Sequence, residues 1–465
     1  LYDLDRIPEA LSTYEDVIKR FPGSPVVDQA LHSGAVAASG LDRYERAEEL
    51  AQKLIREFPR SSLAGPARLV VAENRFERED FAGAEKVLTG LQSSKPENVG
   101  QDSVLYKLAW CRYERDDSAQ AAEFFTRVVE QHARSPLAPD SLYMVAKIAA
   151  DGGDHERARK LYERCAEKYP DSQAAVSARY GAALARFSMQ QWAAAAKEFD
   201  AFLKEHPEDE FADDALFYGA EALFSAGQLD GARTAYESLV ERFPKSDFAA
   251  RAAHGRAWCL RQKGLIEEAA AAFEAVAAGH EKAEVAPRAL YWAGQSRFER
   301  GEFQKARENY KRALQVADAG VLRADAAYGI AQSLLEEKDY DAAVEAYRNF
   351  LKDYPDSGLR TQALYDLAWA LKGRGEEKKA VQHFQKVGEG EGEIALRADA
   401  LFRVAESLYE KERYEEAEDI YARITRWEDV GFLDRVYYKL GWCRENQDNL
   451  DAAMEAYRKV EKNQP

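Results

Sequence analysis

Apolar residues recur along this chain at spacings of three and four, the period of amphipathic helices. Runs of β-branched residues with period two, which would mark strands, are absent. The pattern therefore predicts helices alone, and it repeats. An alanine followed four residues later by an aromatic ring sets the register, as at Ala10 and Tyr14, Ala121 and Phe125, Ala306 and Tyr310, and Ala453 and Tyr457. Thirteen anchor alanines run from Ala10 to Ala453, eleven successive steps being 37 residues and the last 36. Ala51 and Leu88 are the two exceptions at the aromatic position.

Other positions keep the same step. Twelve residues before each alanine stands Ala or Gly, from Ala35 through Gly294 to Gly441, where a small side chain admits a close helix contact. Fifteen before, an aromatic is usual, as at Tyr106, Tyr180, Phe217, Tyr328 and Phe402. Five before, Gly or Asp marks a turn, as at Gly227, Gly264 and Gly301. Twelve after, proline recurs at Pro22, Pro59, Pro96, Pro170, Pro207, Pro244, Pro355 and Pro465. Proline lacks an amide donor and disfavours helix at the residue before it, so it stops the second helix of each unit. A serine shortly after, such as Ser24, Ser61, Ser172, Ser246 or Ser357, is expected to cap the next helix.

Each unit thus reads as helix, turn, helix and stop. Neither helix can bury its apolar face alone, so units must stack on their neighbours. The expected organisation is a partial repeat at 1–22 and twelve repeats at 23–59, 60–96, 97–133, 134–170, 171–207, 208–244, 245–281, 282–318, 319–355, 356–392, 393–429 and 430–465. Proline is missing after the units anchored at Ala121, Ala269, Ala306, Ala380 and Ala417, and local bends or looser stacking are expected there. A chain that opens half-way through a unit, at Leu1, reads as part of a longer or processed protein.

Charge narrows the function. The net charge of −17 opposes sequence-independent nucleic-acid binding and electrostatic docking on anionic lipid. No run of 18 apolar residues is present to span a membrane. Cys111, Cys259 and Cys443 share one register position, where other units carry Ala or Ser, and Cys165 aligns with Val128 and Phe202. All four read as packing residues. The seven histidines lack metal-ligand spacing, so no metal site is expected. The Gly388–Gly392 stretch follows a helix and carries no Lys-Ser/Thr pair, so it reads as a loop and not a phosphate cradle. No catalytic constellation can be drawn. The expectation is a protein that is not an enzyme and uses no cofactor.

Small, aromatic and proline positions in this order resemble the tetratricopeptide repeat, whose usual period is 34. The resemblance covers essentially the whole chain. It implies an all-α fold, a right-handed α–α superhelix of tandem helix-turn-helix repeats, here with a 37-residue period. Endings such as Phe243-Pro244-Lys245-Ser246 and Tyr354-Pro355-Asp356-Ser357 are similar to the BamD/YbgF-like bacterial envelope subgroup.

At about 100° per residue, positions 18, 14, 11 and 7 before the anchor share one face of the first helix. The resemblance implies that this face lines a concave groove for partner segments. Trp110, Trp258, Trp369 and Trp442 fall eleven before their anchors, and Trp292 falls fourteen before. Lys107, Arg251, Arg288, Asp366, Arg435 and Lys439 accompany them as candidate groove residues. Packing against the adjacent helix is the competing role for these rings. No Lys/Asn/Arg cluster resembles a clamp for an acidic C-terminal tail.

The function expected is a protein–protein interaction scaffold that binds proteins or peptide segments within a multi-protein complex, in the periplasm or cell envelope. The alternatives are a cytoplasmic adaptor or peptide-sensing receptor, and the substrate-selecting repeats of an enzyme whose catalytic domain lies elsewhere.

Overall fold

The computed structural model describes residues 6–316, 320–428 and 430–462. The chain divides into two compact units, Leu1–Gly227 and Gln228–Pro465. Pro465 and the first five residues of the partial repeat lie outside the described residues, as do 317–319, where the missing proline of the unit anchored at Ala306 falls.

The first unit holds α1 (Ile7–Arg20), α2 (Val27–Ser39), α3 (Tyr44–Glu57), α4 (Ala64–Glu77), α5 (Phe81–Ser94), α6 (Gln101–Tyr113), α7 (Ser118–Gln131), α8 (Ala138–Asp151), α9 (His155–Lys168), α10 (Gln173–Ser188), α11 (Trp192–Glu205) and α12 (Ala212–Ser225). The second holds α13 (Leu229–Arg242), α14 (Ala249–Gln262), α15 (Ile266–Gly279), α16 (Ala286–Glu299), α17 (Phe303–Val316), α18 (Gly320–Glu336), α19 (Tyr340–Asp353), α20 (Arg360–Gly373), α21 (Glu377–Glu389), α22 (Ile394–Glu410), α23 (Tyr414–Ile424), α24 (Leu433–Glu445) and α25 (Leu450–Lys462). Within each unit every helix packs on the next in sequence. The fold class is all-α, an α–α superhelix built from helix pairs.

The turn inside each pair has one geometry. Its residue five before the anchor is left-handed in all twelve turns: glycine at five, including Gly153 (φ 81°) and Gly301 (φ 74°), and another residue at seven, including Asp116 (φ 58°) and Lys338 (φ 63°). Glycine adopts this conformation without a Cβ penalty. The next residue takes the N-cap position of the second helix, and where it is aspartate it caps with its side chain. Asp80, Asp117, Asp154 and Asp339 accept from the backbone N–H three residues on, at 2.9, 3.2, 3.1 and 3.2 Å. That bond satisfies one of the orphan donors of a helix start.

The core is a file of rings between small residues. Phe125, Phe199, Phe273 and Tyr347 are fully buried, and the anchor alanines beside them are closed off as completely. Burying such a ring contributes about 1.5–3 kcal/mol. The small positions leave room for it: a Cβ on Gly294 would stand 2.6 Å from the Tyr310 ring, and one on Gly329 2.7 Å from its other side.

Two expectations change at the turns between pairs. Ser172 does cap α10, accepting from Ala175 N–H at 3.1 Å. Ser61, Ser246 and Ser357 do not cap. Their hydroxyls accept from the N–H two residues on, at 3.1, 3.1 and 3.2 Å, while the cap positions hold Leu63, Phe248 and Leu359. The serine shapes the turn ahead of the helix, and the apolar residue after it packs at the helix entrance.

Missing prolines also do not by themselves bend the chain. His132 ends α7 at φ −131°, ψ 47° and His280 ends α15 at φ −135°, ψ 48°, against φ −126°, ψ 55° at Phe58 before Pro59. The sites after the units anchored at Ala380 and Ala417 differ. Gly390 leaves α21 extended at φ −80°, ψ −165°, and α22 then runs for 17 residues. Helix α23 is shortened to 11 residues.

Candidate functional site

The first helix of each pair presents the predicted face, and α14 and α16 bring its two central tryptophans together. Trp258 and Trp292 lie 4.7 Å apart between ring centroids, at 66°. Both are half-buried. The edge of Trp258 meets Phe273 of α15 at 5.9 Å. The Arg261 guanidinium stands 5.1 Å over the Trp292 ring, donates to Ser296 Oγ at 2.9 Å and pairs with Glu299. Arg251 and Arg288 are exposed in the first turns of α14 and α16. Arg251 lies 5.6 Å over Phe248, and Arg288 is 3.9 Å from Glu284.

His254 joins this group although the repeat pattern does not single it out. It stands fifteen before the anchor, where most units carry Tyr or Phe and two others carry His32 and Leu69, so that departure from an aromatic is the available signal. Its ring lies 5.4 Å from Phe273 and 6.4 Å from Trp258. The Nε2 atom is buried without a hydrogen-bond partner. Burial first, and the Arg288 charge second, push the imidazole down to about 4. The imidazole is thus held neutral against Trp258, with Nε2 closed off from solvent.

The remaining tryptophans do not join that pair. Trp110 and Trp369 turn against Phe125 and Phe384 at 5.7 and 5.6 Å, at 88° and 81°, repeating the Trp258–Phe273 contact. Edge-to-face pairs of this kind are worth about 0.5–1.5 kcal/mol beyond burial. Trp110 also meets Tyr106 and Tyr113, and Arg403 and Lys372 cover Trp369 at 5.2 and 5.6 Å. Trp442 stacks on Tyr409 at 6.0 Å, with Lys439 5.1 Å over its ring.

Among the charged candidates, Lys107 pairs with Glu73 at 3.0 Å and Lys439 with Glu406 at 3.6 Å. Arg435 is exposed, 5.1 Å over Phe432. Asp366 is inside the fold, not on an open groove: it is 8% exposed and accepts from Tyr328 Oη at 2.6 Å and Gln362 Nε2 at 3.0 Å. Burial raises its carboxyl above the usual range.

The cysteines are buried, and burial pushes Cys111 up to about 11 and Cys165 and Cys443 up to about 12. Thiols held protonated at neutral pH are poor nucleophiles. Among the described residues no group of three or more His, Cys, Asp or Glu could hold a metal ion. Among the same residues no helix is long and apolar enough to cross a membrane.

Stacked helix pairs with an aromatic, polar face and buried thiols define a tandem-repeat protein whose fold generally serves binding rather than catalysis. The chain belongs to the tetratricopeptide-repeat family. One tetratricopeptide-repeat model matches residues 105–173, 180–247, 220–284, 254–321, 291–358 and 328–394, and a second matches 399–426 and 435–465. The chain is similar to a solved tetratricopeptide-repeat protein from Parabacteroides merdae, at 17% identity and TM-score 0.38, over 58% of this chain and 98% of that one. It is similar to MamA from Desulfovibrio magneticus RS-1 at 18% identity and TM-score 0.35, over 40% of this chain and 98% of that one. A third is YrrB, described as having an unusual peptide-binding site, at 22% identity and TM-score 0.35, over 43% and 96% of the two chains. No curated protein matches the chain.

Proposed function

We propose that this protein is a non-catalytic interaction scaffold that binds a partner segment at Trp258 and Trp292. The observation that carries this reading is the contact between these two rings from successive repeats, 4.7 Å apart and only half-buried. Exposed Arg251 and Arg288 stand two turns and one turn before these tryptophans on the same helices, and the buried His254 packs against Trp258. Aromatic rings and arginine are the residue types that dominate interface energetics. Trp110, Trp369 and Trp442 are equally half-buried but stand, among the described residues, without a second tryptophan against them, and this reading assigns them to packing.

The partner belongs to a multi-protein complex of a bacterial envelope. The proline–serine endings after α13 and α19 support this placement. Fractionation of cells producing the full-length protein tests it; recovery with soluble cytoplasmic proteins alone overturns it.

The binding site is tested with the double variant Trp258→Ala/Trp292→Ala. Affinity capture with the full-length protein identifies a partner, and calorimetric titration then compares wild type and variant. Binding is expected to fall at least tenfold while helicity is kept and Tm drops by only a few degrees. Unchanged affinity, or a loss that merely follows a large drop in Tm, would assign both rings to packing.

A further inference from the structure

In five of the twelve units, among them both neighbours of the unit anchored at Ala158, an arginine nine residues before the anchor links neighbouring helices; the other seven carry Ala or Leu there. The guanidinium reaches back to an acid of the preceding helix and, at Arg112, Arg186 and Arg297, forward to the residue that starts the following one. Arg112 pairs with Glu85 and, at 3.2 Å, with Asp117. Arg186 meets Glu163 at 3.1 Å and Gln191 at 3.2 Å. Arg297 meets Glu274 at 2.8 Å and Glu302 at 2.9 Å. Arg75 and Arg444 reach back to Glu48 and Glu418 at 2.6 and 2.7 Å.

Between α7 and α8 both members are missing. Ala149 stands where the arginine would be, and Ala122 stands one past its anchor, as Glu48, Glu85 and Glu418 do. A cleft of about 570 Å³ opens at this place, between α7, α8 and the start of α9. Val145 and Ile148 line it with the two alanines, a floor suited to a hydrocarbon stem. The forward acceptor is still present. Asp154 occupies the position of Asp117 and Glu302, and among the described residues its carboxylate accepts only from its own helix, Arg157 N–H at 3.1 Å. Glu123 and Glu130 stand on the same rim, and neither has an ion pair among the described residues. Arg127 and Arg157 also line the cleft, leaving three acids against two bases. The Arg127 guanidinium lies 5.4 Å over Phe124 and faces the Gln92 amide oxygen.

We propose that this cleft receives an arginine side chain from a partner protein, which supplies in trans the guanidinium that neighbouring repeats supply from their own chain. The stem lies on Val145 and Ile148, and the guanidinium faces Asp154, with Glu123 and Glu130 adding charge complementarity. Planar guanidinium suits such paired acceptors better than ammonium. The surface shares no residue with the Trp258–Trp292 site.

The test uses the full chain with ¹³C-labelled alanine methyls and two small probes, N-acetylarginine amide and its neutral isostere N-acetylcitrulline amide. The arginine probe is expected to shift Ala122 and Ala149 first, with binding at least tenfold tighter than citrulline. Asp154→Asn keeps the helix cap and should weaken the arginine probe at least fivefold. Ala122→Glu restores the missing acid and should tighten it severalfold. Ala149→Arg fills the cleft from within and should abolish probe binding while raising Tm. Equal binding of both probes, shifts scattered over the acidic surface, or no response to Asp154→Asn and Ala122→Glu overturns the proposal. Trp258→Ala/Trp292→Ala should leave probe binding unchanged, so failure of either site is read separately.

Discussion

At the scale of residues, the identity of one ring shapes what can lie above it. Tyr162, Tyr236 and Tyr310 are each followed nineteen residues later by glycine, at Gly181, Gly255 and Gly329. A Cβ at those glycines would stand 2.5–2.7 Å from the tyrosine ring. Phe125, Phe199, Phe273 and Phe384, one oxygen shorter, are followed by Met144, Tyr218, Trp292 and Arg403. Tyr14 in the partial repeat and Tyr421 in the shortened α23 depart from this rule, being followed by Ser33 and Leu440. The Trp292 position is open to a large side chain because Phe273 lies in the preceding helix. Tyr347 is followed by Asp366, and that acid is drawn inward. Periodicity alone places Asp366 on the groove face, since a helical wheel carries no information about the ring beneath. His254 carries a further consequence. Its folded value near 4 lies below the ordinary 6.5, so protonation favours the unfolded chain. The contribution is fully present above pH 6.5 and is lost as pH falls toward 4, about 2 kcal/mol of it by pH 5. Urea unfolding at pH 7.5 and 5 should show this loss in the wild type. His254→Phe, matching Phe217 and Phe402 in register, should remove that part of the pH dependence. An equal dependence in both proteins would mean that His254 is not its source.

At the scale of elements, the helices are readable from the 37-residue step because apolar spacing and small positions act within a single turn of chain. The turns between pairs are less legible. Proline and serine look decisive in the sequence, yet His132 and His280 end their helices in the same backbone conformation as Phe58. Hydrogen bonds hold that shape without proline: Ser135 and Ala283 N–H donate back to the His132 and His280 carbonyls at 2.8 and 2.9 Å. Proline at these turns limits the unfolded chain and is not needed to bend the folded one. Glu281→Pro, at the place matching Pro59, should then raise stability by about 0.4–1 kcal/mol. Chemical denaturation measures it, and a loss of stability would show that the α15–α16 turn needs a backbone that proline cannot adopt. The last turn of α21 is the contrasting case. A Cβ on Gly388 would stand 2.5 Å from the Leu401 side chain, so glycine there permits a close approach to α22.

At the scale of the whole molecule, stability in a repeat array is a sum of unit terms and nearest-neighbour terms, so damage stays near its origin. Tyr310 offers a place to see this, because Gly294 and Gly329 clamp its ring from two helices of the second unit. Gly294→Leu forces a side chain into space the ring already fills, and overpacking of this kind costs about 1–3 kcal/mol. The ring cannot yield toward Gly329, since α18 closes that side. Hydrogen exchange should therefore lose protection in α16, α17 and α18, while α20 to α25 keep theirs. Trp292 lies on α16 with Gly294, so partner binding should weaken as that helix loosens, whereas the arginine probe at α7–α9 should bind unchanged. Uniform loss of protection across the second unit would instead show that its helix pairs unfold as one cooperative body, and nearest-neighbour reasoning would then fail for this chain.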